Sequence, residues 1–251
     1  MFYTYSALSL WLLGFPEQSK AFNRRALDMA ERWTHAHSRC FLLCGVAWNH
    51  VQMNEPAEAE PHARELFTLA SEHAFEPWIA LATVMTGWTM AVRGQPEEGL
   101  PLMLQGREDW HATGAVVKTC FYPYLLADVY RRRNEPEEGL RWVDRGIEDA
   151  AGCDDRYFLP ELHRLRGELL QDLEDSAERV EESFAKAAEL CREQGAKALE
   201  LRTAMSVARF RDRAGDRTAG RDELAACYEW FGEGLETPDL VEAGKLLREL
   251  S

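Results

Sequence analysis

Apolar positions along this chain show no strand-like alternation, and where their spacing is regular it is that of a helix face. In TPDLVEAGKLLREL, Leu240, Ala243, Leu247 and Leu250 fall on one side of a helix that Thr237 caps and Pro238 opens. Between the apolar blocks a polar hexapeptide returns about every forty residues. GFPEQS begins at Gly14, NEPAEA at Asn54, GQPEEG at Gly94 and NEPEEG at Asn134; after one inserted residue, DSAERV begins at Asp175 and GDRTAG at Gly215. Six copies at a fixed period over the whole chain predict an all-α solenoid.

The hexapeptide has the chemistry of a turn between two helices. Gly or Asn leads the first four copies, residues that tolerate the left-handed conformation ending a helix. Pro16, Pro56, Pro96 and Pro136 follow two places on, suited to the first turn of the next helix, where the missing N–H costs nothing. Glutamates come next, where the positive end of the helix dipole favours them. Later copies use Ser176 or Asp216 as ordinary caps. First helices are predicted at about 1–13, 38–53, 78–93, 116–133, 156–173 and 196–214, and second helices at about 16–34, 56–73, 96–111, 136–151, 177–193 and 217–231.

Small residues recur before each turn (Ala7, Ala47, Gly87, Ala127, Gly167, Ala208) and after it (Ser19, Ala59, Gly99, Gly139, Gly220). Glycine inside a helix costs ~1 kcal/mol, so these positions make sense where two backbones approach closely. Leu66 and Val180 break the columns, predicting looser crossings there. Small residues at places 8, 20 and 27 of the repeat give the tetratricopeptide register, lengthened from the usual thirty-four residues. The expectation is a right-handed superhelix of six such hairpins in one continuous domain. Its repeats are about 1–36, 37–75, 76–114, 115–153, 154–194 and 195–234, with a capping helix at 237–250.

The opening MFYTYSALSLWLLG lacks the basic start and the cleavage site of a signal peptide and reads as the first helix of repeat one. A solenoid end needs a polar outer face, and Phe2, Tyr3, Tyr5, Leu8 and Trp11 do not supply one. A preceding repeat of a longer chain, or self-association, is expected to cover them.

ELHRLRGELL (Glu161–Leu170), GAKALELRTAMSVARF (Gly195–Phe210), YEWFGEGLETPDLVEAGKLL (Tyr228–Leu247) and EPWIALATVMTGWTMAVRGQPEEGL (Glu76–Leu100) carry a family resemblance. They resemble the C-terminal tetratricopeptide region of large bacterial signalling proteins, in which a class III cyclase or DNA-binding head precedes an AAA/STAND-type ATPase and then this helical tail. The resemblance implies a signal-relay or scaffold tail whose N-terminal end meets preceding repeats or the ATPase module. It says little about which head is served.

Charge narrows the partners. A formal net charge of −14 repels phosphate backbones and anionic lipid, and no apolar run approaches the ~20 residues of a membrane span. Six scattered cysteines (40, 44, 120, 153, 191, 227) without a CxxC pair suit reduced thiols in a cytoplasmic protein. No phosphate-binding loop, GxSxG, HExxH or glycine-rich nucleotide fingerprint is present, so neither catalysis nor a cofactor is expected. The stretch HAHSRCFLLC offers His35, His37, Cys40 and Cys44 as conceivable zinc ligands, but the bland assignment, loop histidines and core cysteines, is preferred and no metal is expected.

Aromatics give the remaining signal. Places 2, 5, 9 and 12 of tetratricopeptide first helices usually point into a concave face. Here those columns hold Phe41, Trp48, Trp88, Phe121 and Tyr124, giving way to Arg131 and Arg164. An aromatic floor beside cations predicts a groove for a protein or peptide with apolar anchors and an acidic group. Burial of the same rings between repeats is the competing expectation.

Overall fold

A computed structural model describes residues 2–114, 120–151 and 156–251. Among the described residues there are thirteen α-helices and no strand. They are α1 (Phe2–Leu12), α2 (Pro16–Arg32), α3 (Ala36–Gln52), α4 (Pro56–Glu72), α5 (Glu76–Val92), α6 (Pro96–Ala112), α7 (Phe121–Arg132), α8 (Pro136–Ala151), α9 (Leu159–Asp172), α10 (Ala177–Gln194), α11 (Lys197–Arg213), α12 (Arg217–Glu229) and α13 (Pro238–Glu249). The predicted helices all appear, with ends displaced by a few residues; the expected start of the fourth first helix, at 116, lies outside the described residues. Successive helices pack on their neighbours, consistent with an α-solenoid. None is long and apolar enough to cross a membrane.

The turns work as their residues require. Left-handed backbone recurs at Gly14, Asn54, Gly94, Asn134, Glu174 and Gly215, with φ of 89°, 55°, 98°, 60°, 55° and 87°. The next residue's N–H then reaches back five residues, as in Glu55 to His50 (2.9 Å), Gln95 to Met90 (3.0 Å), Glu135 to Tyr130 (3.0 Å) and Asp175 to Leu170 (2.9 Å), which pairs otherwise orphaned helix-end carbonyls. The fifth turn begins one residue earlier than the hexapeptide alignment places it. Glu174, not Asp175, is left-handed, and the inserted residue lengthens the loop before Ser176, whose side chain caps α10.

The small columns meet each other. A Cβ on Gly99 would lie 2.2 Å from the Gly87 carbonyl oxygen, and one on Gly87 2.6 Å from that of Gly99. Gly139 similarly faces the Ala127 carbonyl and Gly220 faces Ala208. Ser19 donates its hydroxyl to the Ala7 carbonyl at 2.7 Å. Leu66 and Val180, expected to loosen their crossings, are fully buried, and Gly167 lies beneath the Phe184 ring.

The residues group into two compact units. The first comprises Met1–Leu10 and Gln18–Val117; the second comprises Trp11–Glu17 and Lys118–Ser251. The turn between α1 and α2 thus belongs with the end of the chain. Trp11 is 3% exposed, with the Arg202 guanidinium 5.1 Å above its ring. Gly14 lies under Trp230, and Gly234 lies against Pro16; both glycines have positive φ and no room for a Cβ. Trp11 therefore does not belong to an uncovered outer face, whereas Phe2 and Tyr5 remain 71% and 60% exposed.

Candidate functional site

Counting back from the left-handed residues assigns the columns predicted to line a groove. In the first unit they hold Phe41 and Leu81, Cys44 and Val84, Trp48 and Trp88, Val51 and Ala91. Of these only Phe41 is more than slightly exposed; Trp48 and Trp88 are 5% and 3% exposed. The two indoles are core, because long neighbouring helices close over them, and they offer no ring face to a ligand. Phe41 instead joins a surface strip, meeting Tyr5 at 6.1 Å and Trp78 at 6.0 Å between ring centroids.

In the second unit the same columns turn ionic. Phe121 is fully buried against Phe158 (4.8 Å), and half-buried Tyr124 meets the same ring at 4.9 Å. Burial, then the Glu161 and Asp128 carboxylates, push the Tyr124 hydroxyl well above the usual phenol range. Arg164 is held by Glu161 through two bonds (Nε–Oε1 2.8 Å, Nη2–Oε2 3.0 Å), by Glu168 Oε1 at 2.7 Å and by Ser206 Oγ at 3.2 Å. Arg131 donates to Glu168 Oε2 at 2.7 Å and to Asp172 Oδ2 at 2.6 Å. Arg202 donates to Asp239 Oδ2 at 2.8 Å and lies 3.6 Å from Glu161. Arg209 pairs with Glu242.

This network links α7 to α9, α9 to α11 and α11 to α13. Burial penalises the charge on Arg164, yet Glu161 and Glu168 outweigh it and hold the guanidinium firmly protonated. Burial likewise pushes Glu168 up, but Arg164 and Arg131 pull it below the usual carboxylate range. Asp239 goes the other way: burial raises it, with Arg202 only partly compensating. Arg131 and Arg164, expected to greet an acidic group, already spend their donors on internal carboxylates. An acidic ligand would have to displace those partners.

Sequence reasoning missed Glu161, Arg202, Asp239 and Trp11 as members of this cluster. Glu161 occupies the column of Phe41, Leu81 and Phe121, counted back from the left-handed Glu174, and that column is the signal that could have found it. The conceivable zinc ligands are not brought together. His35 turns back to cap α3, its Nδ1 2.9 Å from Ser38 Oγ, while His37 lies against Phe75 and Trp78. Cys40 and Cys44 are buried, and burial pushes the Cys40 thiol up to about 11, away from thiolate chemistry. Among the described residues no group of three or more His, Cys, Asp or Glu side chains could hold a metal ion.

No family profile matches the chain. An uncharacterized protein of Rhizobium meliloti (strain 1021) is 25% identical over 201 residues, covering 80% of this chain and 20% of that protein. The chain therefore spans about a fifth of the length of the relative it matches.

Proposed function

We propose that the chain is a non-catalytic protein-interaction and signal-relay module: a right-handed superhelix of six tetratricopeptide-like hairpins with a capping helix. In this reading it is the scaffold or sensor tail of a multidomain bacterial ATPase or cyclase-like regulator and works in the cytoplasm. The observation that carries it is the pairing of small residues between the two helices of a hairpin, repeated as Ser19 on Ala7, Gly99 on Gly87, Gly139 on Ala127 and Gly220 on Ala208. That is how a repeat array keeps one crossing geometry while its surfaces diverge. A bacterial relative about four times longer supports a place within a larger protein.

Burial of Trp48 and Trp88 moves the partner surface away from the aromatic columns. The most exposed rings are Phe2 and Tyr5, continued by Phe22, Phe41 and Trp78. A preceding repeat of the longer protein covers them; without it, two copies of this chain meet there. Light scattering should show concentration-dependent self-association that Phe2→Ser with Tyr5→Ser removes. ATP turnover should be absent from the purified chain. A monomer at every concentration would sink the surface, and ATP hydrolysis or cyclisation would sink the non-catalytic reading.

A further inference from the structure

Outside the ion-pair network, α8, α9 and α10 of the second unit line an open cleft of about 850 Å³. His163 and Arg166 come from α9. Lys186 and Arg192 line it from α10, and Asp144 and Glu148 from α8. The half-buried His163 ring makes no hydrogen bond among the described residues, and the exposed Arg192 guanidinium enters no ion pair among them. Each other cation has one carboxylate: Arg166 holds Asp144 at 2.9 Å, with Ser183 at 3.0 Å, and Lys186 holds Glu189 at 2.9 Å. The remaining acids, Glu148 and Glu182, are solvent-exposed and screened. The cleft thus presents an imidazole with no hydrogen bond and a guanidinium with no ion pair beside two cations that already have one.

We propose that this cleft binds an oxyanion, the phosphate or carboxylate of a small ligand, with His163, Lys186 and Arg192 as donors and Arg166 fixed behind them by Asp144 and Ser183. The electrostatics at the ring agree. Burial, then Arg166 and Lys186, lower the His163 pKa to about 4 against the opposing pull of Asp144 and Glu189. Arg166 and Lys186 add to burial in disfavouring the charged ring, so an anion arriving beside it favours the imidazolium and binding takes up a proton. Binding is therefore tighter in mild acid.

The test follows the His163 ring resonances at about pH 5.5, where the free imidazole is neutral, as inorganic phosphate or acetate is added at constant ionic strength. Saturable movement toward imidazolium is expected, with an apparent affinity about tenfold weaker after Lys186→Ala with Arg192→Ala, a loss of about 1.4 kcal/mol. Both side chains are exposed, so melting should not change. Saturation by phosphate alone identifies a phosphoryl ligand; saturation by both shows that a carboxylate suffices. No saturable shift with either probe, or an unchanged shift in the double variant, overturns the site.

Discussion

The two units use the same columns of one repeat for opposite chemistry. In the first, the places six residues before the turn hold Trp48 and Trp88, both buried, as are Val84, Val51 and Ala91 in the neighbouring columns. In the second, those places hold Asp128, Glu168 and Arg209, and the neighbouring columns hold Glu161, Arg164 and Arg202. The backbone rule is shared, with a left-handed turn residue and a small-on-small crossing. Interior chemistry is free to change because only the crossings constrain it. An apolar interior is non-directional and tolerates adjustment. An ionic one is directional, and each member needs its partners in place.

The comparison breaks first at its largest side chain. Trp88→Ala should cost ~3–5 kcal/mol through the cavity left in the first unit, with little dependence on salt. Chemical denaturation measures the loss, and hydrogen exchange should place it in α3–α6. A near-neutral effect would mean that the ring is surface after all. Next comes Glu161→Gln, fully buried between Arg164 and Arg202, which leaves two guanidinium groups short of a charge and should cost about 3 kcal/mol. If the two interiors differ as described, lost protection here centres on α9, α11 and α13. Equal loss in α3–α6 would erase the distinction.

Acid provides a smaller, graded test. His163 in the second unit has its folded pKa lowered to about 4, by burial first and then by Arg166 and Lys186. In the first unit burial, then His50, lower that of His62. A folded-state pKa below the unfolded one means that the unfolded chain binds more protons between the two values. Stability from these groups is therefore complete above the ordinary histidine value of 6.5 and is lost as pH falls, for His163 until about 4. Glu168, held low by Arg164 and Arg131 against burial, adds a loss at lower pH; Asp239, raised by burial, opposes it. His163→Gln should flatten the slope of stability against pH in that window, measured in a buffer without phosphate. An unchanged slope would show that the ring is solvated.

The repeat made the helices and turns legible because turn chemistry is local: Gly or Asn, then Pro, then Glu reads the same wherever it falls. The crossings were legible for a related reason, since Gly87 and Gly99 are poor helix residues with no use except proximity. Interior columns were not. Whether Trp48 lines a groove or fills a core depends on how far α3 and α5 close over it, which no single repeat encodes. Arg131 and Arg164 were found as cations, but their carboxylates come from other helices 37 residues away in one case and from the next turns in the other. Trp11 was misplaced because its cover, Arg202, lies near the far end of the chain.

The smallest expected effect tests the shared part of the scaffold. The fifth turn puts Glu174 into the left-handed region at φ 55°, where its sisters place Gly or Asn. A Cβ there costs roughly 1–2 kcal/mol, and glycine relieves it while adding unfolded-chain entropy, so Glu174→Gly should stabilise by about 0.5–1 kcal/mol. Asn134→Gly, at φ 60° in the preceding turn, should be close to neutral because asparagine already tolerates this conformation. Both sites belong to the second unit, so surrounding chemistry is matched and only the turn residue differs. A gain at Glu174 with none at Asn134 would assign the turn to backbone conformation alone. Equal effects at both would instead mean that side-chain contacts, such as the Asp175–Arg179 pair beside the fifth turn, set its stability.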